Sequence, residues 1–153
     1  MGRRRLARET AFRQLFRVDL TGKDLTDALV EIGDLRREAS RGTVTREADP
    51  EDAETFRFSQ ELLESVGAHR VELMEALASA ADRFEIGRMA AVDRSLLLLG
   101  AAEILYWPTI PDEVTIDEYV ALAGKYSAEG SVGFVNAVLD RLARENAAGG
   151  ARP

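Results

Sequence analysis

Between Val92 and Trp107 the chain carries apolar side chains on nearly every side of a helix: Leu96, Leu97, Leu98, Leu99, Ala101, Ala102, Ile104 and Leu105. A helix with no polar face has nothing to offer water, so it must lie at the centre of a bundle with other elements around it. The run is too short to span a membrane, and Glu103 lies inside it. Gly100 lowers helix propensity there and allows another helix to approach closely. Pro108 and Pro111 end the run.

The neighbours of this central helix are legible as helices too. Ala7, Ala11, Leu15 and Val18 recur at helical steps, and Gly22 stops that first helix. Arg4 and Arg8 are one turn apart and share one of its sides. Leu25, Leu29 and Ile32 mark a second helix. Residues 38 to 54 are polar, include Gly42 and an acidic run (Glu47, Asp49, Glu51, Asp52, Glu54), and read as a loop. At its end Asp49 suits an N-cap and Pro50 a first helical position, so the acidic run has a local structural use and is given no binding role. Phe56, Leu63 and Val66 carry a third helix up to Gly67, and Val71, Met74, Leu77 and Ala78 a fourth.

After the prolines, Thr115-Ile116-Asp117-Glu118 has the pattern of a capping box, with Val114 placed to staple against Tyr119. Ile116, Val120 and Ala123 form the inner stripe of that sixth helix. Gly130 breaks it, and Ser131 is placed to cap a seventh, whose stripe is Val132, Val135, Leu139 and Leu142. At 100° per residue Phe134 points roughly 120° from the centre of that stripe. It therefore either packs on a neighbour or offers an aromatic face to solvent. No strand-like alternation and no repeat is present. The reading is an all-α fold, a compact bundle of about seven helices in a single domain over residues 1–146, with a tail over 147–153. Without a sheet or a Gly-rich phosphate fingerprint, the familiar routes to nucleotide binding are not expected.

Charge is distributed unevenly. Arg3, Arg4, Arg5, Arg8, Arg13 and Arg17 stand against Glu9 in the first 17 residues, about +5, while the whole chain of 153 residues carries −7. Arginine pairs bidentately with phosphate, so the cluster reads either as a polyanion site or as a solubilising tail. There are no cysteines, which excludes disulfides, thiolate metal sites and a cysteine nucleophile. The opening residues lack the apolar stretch of a secretory signal. His69 is the only histidine, has no ligand-spaced partners, and reads as a surface or helix-start residue. The acidic pairs Asp112–Glu113 and Asp117–Glu118 fall at predicted helix starts. No nucleophile–base pair is apparent, so an enzyme is not expected, and neither a metal nor a cofactor.

Several strings together resemble the NusB family of bacterial transcription antitermination proteins. They are Val92-Asp93-Arg94, Ala102-Glu103-Ile104, Ile110-Pro111, Val114-Thr115-Ile116-Asp117-Glu118, Ala121-Leu122-Ala123, and Ser131 followed by Gly133-Phe134-Val135-Asn136-Ala137-Val138-Leu139-Asp140. At the other end Arg3-Arg4-Arg5-Leu6-Ala7-Arg8-Glu9-Thr10-Ala11, then Leu15, Phe16 and Asp19, is similar to the family's opening. The stretch from Gly22 to about Asp82 carries little of the motif.

The resemblance implies an RNA-binding protein of the cytoplasm. It would pair with the ribosomal protein NusE, bind the boxA element of nascent ribosomal RNA, and join the RNA polymerase elongation complex. Under it Arg3, Arg4, Arg5 and Arg8 hold phosphates, Phe134 stacks on an unpaired base, and Lys125, Tyr126 and Ser131 complete that surface. Asp93 and Arg94 match a region close to the partner. The chain departs from the family at Gly124, Gly130, Ala137 and Leu98, which thins the basic and polar groups expected near RNA. The departures keep an alternative in play: a helical interaction protein, such as a homodimer, with a weak or occluded RNA surface. The RNA-binding domains attached to ribosomal RNA cytosine methyltransferases share the fold, but no methyltransferase domain follows Pro153, so that enzyme is not expected.

Overall fold

Gly22 adopts φ +70°, a left-handed conformation that side chains with a Cβ avoid, and it ends the first helix as its sequence position predicts. The computed structural model describes residues 3–41, 50–81 and 89–149. Seven helices account for almost all of them: α1 (Arg3–Thr21), α2 (Leu25–Arg41), α3 (Pro50–Ala68), α4 (Arg70–Ala81), α5 (Ala91–Tyr106), α6 (Asp112–Tyr126) and α7 (Ser131–Ala147). No strand occurs among the described residues. Contacts divide the chain into two compact units, Met1–Gly67 and Ala68–Pro153.

In the first unit Ala7, Ala11, Phe12 and Leu15 of α1 are buried, as are Ala28 and Ile32 of α2 and Phe58, Leu62, Leu63 and Val66 of α3. The small residues on α1 allow close approach. Ser59 Oγ donates to the Ala7 carbonyl at 2.7 Å, which ties α3 to α1 through a buried hydrogen bond. Arg17 pairs with Glu31 and so links α1 to α2.

In the second unit α5 packs against α4, α6 and α7. Leu96 to Leu99 are each at most 1% exposed, so the apolar run is the buried helix its composition predicts. Gly100 is the closest approach. A Cβ built there would lie 2.8 Å from Leu139 Cδ1 and 3.4 Å from the Tyr119 ring. Glu103 is fully buried, and its carboxylate accepts from the Tyr119 hydroxyl at 2.5 Å and from Thr115 Oγ1 at 3.4 Å. His69 stands in the turn before α4 with its ring 4.1 Å from that of Tyr106.

Four local expectations are corrected. The predicted loop over 38–54 is narrower, because α2 runs on to Arg41 and α3 starts at Pro50. The polar residues at its edges have adequate helix propensity without apolar periodicity. The proposed Asp49 cap lies outside the described residues. On α4 the inner face is Leu73, Leu77, Ala80 and Ala81, while Val71 is 68% exposed and Ala78 is exposed.

The capping box does not form. Helix α6 already begins at Asp112 with Pro111 as its N-cap, so Asp112 and Glu113 occupy the first turn. Asp117 and Glu118 lie inside the helix, and the Thr115 hydroxyl serves Glu103 instead. Ser131 is the first residue of α7 rather than its cap. Gly130 takes the cap position at φ +95°.

Candidate nucleic-acid interface

Burial of Ala7 and Ala11 fixes the rotation of α1 and therefore where its arginines go. Arg3, Arg4 and Arg5 are exposed in the first turn. That turn contains no acidic residue. Cations there oppose the helix dipole, so the end of α1 concentrates positive potential at some cost to the helix. Arg4 and Arg8 share a side, as their spacing predicts, and that side faces Phe58. The Arg4 guanidinium carbon lies 4.0 Å from the Phe58 ring centroid and that of Arg8 lies 5.6 Å away.

Arg8 is only 3% exposed, so it is built into the unit rather than extended from it. Further along, Arg13 pairs with Glu9 at 3.7 Å and Arg17 with Glu31. Arg3, Arg4 and Arg5 are thus the exposed guanidinium groups of the first turn of α1.

Beside these residues opens a pocket of about 480 Å³, lined by Arg3, Arg4, Glu54, Arg57, Phe58 and Glu61 among others. Arg57 reaches both carboxylates, 3.7 Å from Glu54 and 3.9 Å from Glu61. Phe58 and this carboxylate pair were not legible as site residues. The stripe assigned to the third helix, with Phe56 on it, put Phe58 well away from the core, whereas Phe58 is buried and Phe56 half-buried.

In the second unit Lys125 and Tyr126 lie in the last turn of α6, and Ser131 and Phe134 in the first turn of α7. Lys125 Nζ lies 5.4 Å from the Tyr126 ring centroid. Phe134 is half-buried, consistent with its angle off the core stripe. Val135, Val138, Leu139, Leu142 and Ala143 form the buried face of α7.

The turn is held from below by Asp93. This residue is 8% exposed, and its carboxylate accepts from Ser127 Oγ at 2.7 Å and from Ser131 Oγ at 3.0 Å. Ser127 closes α6 and Ser131 opens α7, so one carboxylate fastens both ends of the turn. Arg94 is half-buried and donates to the Met89 carbonyl at 3.1 Å. Of the departures from the family pattern, Leu98 is 1% exposed and belongs to the core, so it removes nothing from the surface. Gly130 is called for by its left-handed backbone. Gly124 is exposed, and a Cβ there would meet only Val132, at 4.0 Å.

Fold and surfaces together define an all-helical binding module, with guanidinium groups on one helix and aromatic and hydroxyl groups at a helix turn. Among the described residues no three His, Cys, Asp or Glu side chains are grouped to hold a metal. The sequence profile of the NusB family matches residues 5–144, and the chain belongs to that family. It is 33% identical to the transcription antitermination protein NusB of Myxococcus xanthus, over 94% of this chain and 96% of that one. Against NusB of Desulfitobacterium hafniense the identity is 37%, over 91% and 86%. The fold superposes on T. maritima NusB with a TM-score of 0.76 at 27% identity, covering 95% of this chain and 92% of that one. A crystal structure of antitermination factors NusB and NusE in complex with dsRNA gives a TM-score of 0.72 at 25% identity, covering 94% and 98%.

Proposed function

We infer that this protein is a transcription antitermination factor that binds boxA-type RNA together with the ribosomal protein NusE and joins the RNA polymerase elongation complex. Family membership over residues 5–144 carries the inference. The likeness to a NusB chain solved with NusE and dsRNA supports both partners. The protein acts by binding and catalyses no reaction. Its place is the cytoplasm, beside the nascent transcript, and no helix among the described residues is long and apolar enough to cross a membrane.

In this reading the exposed Arg3, Arg4 and Arg5 meet phosphates and supply the salt-dependent part of affinity. Arg8 keeps Arg4 and Phe58 in place. Lys125, Tyr126, Ser131 and Phe134 form a second contact surface, and Asp93 with Arg94 sets the geometry of the region nearest NusE.

The test is RNA binding with and without NusE at two salt concentrations, using a boxA-type single strand and a duplex of the same sequence. Tight, NusE-dependent binding that weakens with salt is expected. Arg3→Ala with Arg5→Ala should lower the salt slope by about 0.7 for each phosphate that is no longer neutralised. Absence of binding under every condition would overturn the reading and leave a helical interaction protein, such as a homodimer, in its place.

A further inference from the structure

The pocket beside α1 has a lining that phosphate binding does not explain. Arg3, Arg4 and Arg57 are joined there by Glu54 and Glu61. Two carboxylates repel phosphate, so contact with phosphates alone does not account for them. Carboxylates accept hydrogen bonds from N–H and O–H donors, which in RNA are the base-edge N–H groups and the ribose 2′-hydroxyl, and within a strand only a base edge offers two adjacent donors to one carboxylate.

The stacking arrangement agrees. Phe58 is 5% exposed, so its own face is closed to a ligand. Arg4 lies against that face at 4.0 Å and is itself exposed. A guanidinium pinned on an aromatic ring is a flat, pre-positioned plane on which an unstacked base can lie. The side chains of Glu54 and Glu61, 75% and 49% exposed, are reachable. Their distances to Arg57 of 3.7 and 3.9 Å leave lone pairs for a ligand.

Resting on the RNA-binding function proposed for the chain, we propose that this pocket takes a guanine base of the bound RNA, stacked on Arg4, with its N1–H and 2-amino group donated to Glu54 or Glu61. Guanine is singled out by chemistry. It alone presents two adjacent N–H donors that match one carboxylate, and its opposite edge offers O6 and N7, the acceptors arginine reads bidentately. Adenine and cytosine present an amino group beside an acceptor nitrogen. Uracil flanks its single N–H with two carbonyls that a carboxylate repels. A volume of about 480 Å³ accommodates a purine.

The experiment compares the full chain with Glu54→Gln, Glu61→Gln and the double variant, each with NusE. The probe is a boxA-type RNA whose guanosines are replaced one at a time by inosine, which lacks only the 2-amino group. The wild type is expected to lose about tenfold affinity at one guanosine position, the scale of one hydrogen bond to a charged group. The double variant is expected to bind guanosine and inosine RNA equally, its affinity for guanosine RNA falling about tenfold to the level the wild type shows with inosine RNA, because no carboxylate is left to accept from the 2-amino group. A structural role for the glutamates would not move that ratio.

If RNA binds tightly but no inosine substitution matters, or the effects of inosine and of the glutamate variants simply add, the base pocket is refuted and the RNA-binding function stands. If the RNA does not bind at all, the functional reading fails first. Guanosine 5′-monophosphate titrated without RNA separates a strand-borne base from a free nucleotide. Tight binding of it, lost in the double variant and without any guanosine–inosine difference in RNA, would overturn the assignment to RNA.

Discussion

Replacing Asp93 by alanine tests whether one carboxylate fixes the α6–α7 turn. Its two hydroxyl donors lie at 2.7 and 3.0 Å. Hydrogen bonds to a charged group contribute about 1.5–3 kcal/mol each. Ser127 and Ser131 are half-buried and can turn to water when the carboxylate is removed, so the low end applies to both. Asp93 also lies in the first turn of α5, where a negative charge adds about 0.5 kcal/mol through the helix dipole. The expected loss is about 3.5 kcal/mol. At about 2–4 °C per kcal/mol for a chain of this size, the melting midpoint should fall by roughly 7–14 °C.

Calorimetry on Asp93→Ala, on Ser127→Ala with Ser131→Ala, and on the triple variant forms a double-mutant cycle. The triple variant should be little worse than Asp93→Ala alone. A fall below about 2 °C for Asp93→Ala, or strict additivity in the cycle, would refute the latch. Because the latch holds the turn that carries Tyr126 and Phe134, the RNA affinity of Asp93→Ala should fall as well, measured well below its melting temperature.

Phe134→Ala should lower RNA affinity about tenfold or more, the scale of base–aromatic stacking, while shifting the melting midpoint only slightly. A large loss of stability with unchanged binding would mark Phe134 as a packing residue. Tyr119→Phe removes a donor from the buried Glu103 carboxylate. It should cost about 2 kcal/mol, read as a lower urea midpoint at unchanged slope. An unchanged midpoint would mean that the pair contributes nothing net.

The sequence revealed most where one physical demand dominates. The run from Leu96 to Leu105, apolar but for Glu103, could only be a buried helix. Gly22 and Gly130 marked chain reversals, and both have positive φ. It misled where two local uses of a residue compete and the third dimension decides. Thr115 and Glu118 have capping-box spacing, yet Pro111 had already opened the helix and Glu103, twelve residues earlier, claims the Thr115 hydroxyl. Ser131 looked like a cap and donates to Asp93 instead.

The phase of α4 was misjudged because alanine and valine occur on both of its faces, and the true seam, Leu73 to Leu77, was one step away. Arg8 illustrates the limit most clearly. Its charge and its place on the helix face match those of Arg4, but it is buried near Phe58, fifty residues on, where Arg4 is exposed, and no local pattern encodes that difference.

The approach of Leu139 to Gly100 has an evolutionary consequence. A methyl group at position 100 would meet Leu139 at 2.8 and 3.0 Å, so the two positions share one fixed allotment of space. Relatives that carry alanine at the first should carry a shorter or differently branched side chain at the second. Drift at either site is then confined to paired steps, and a lone substitution is tolerated only in lineages with stability to spare.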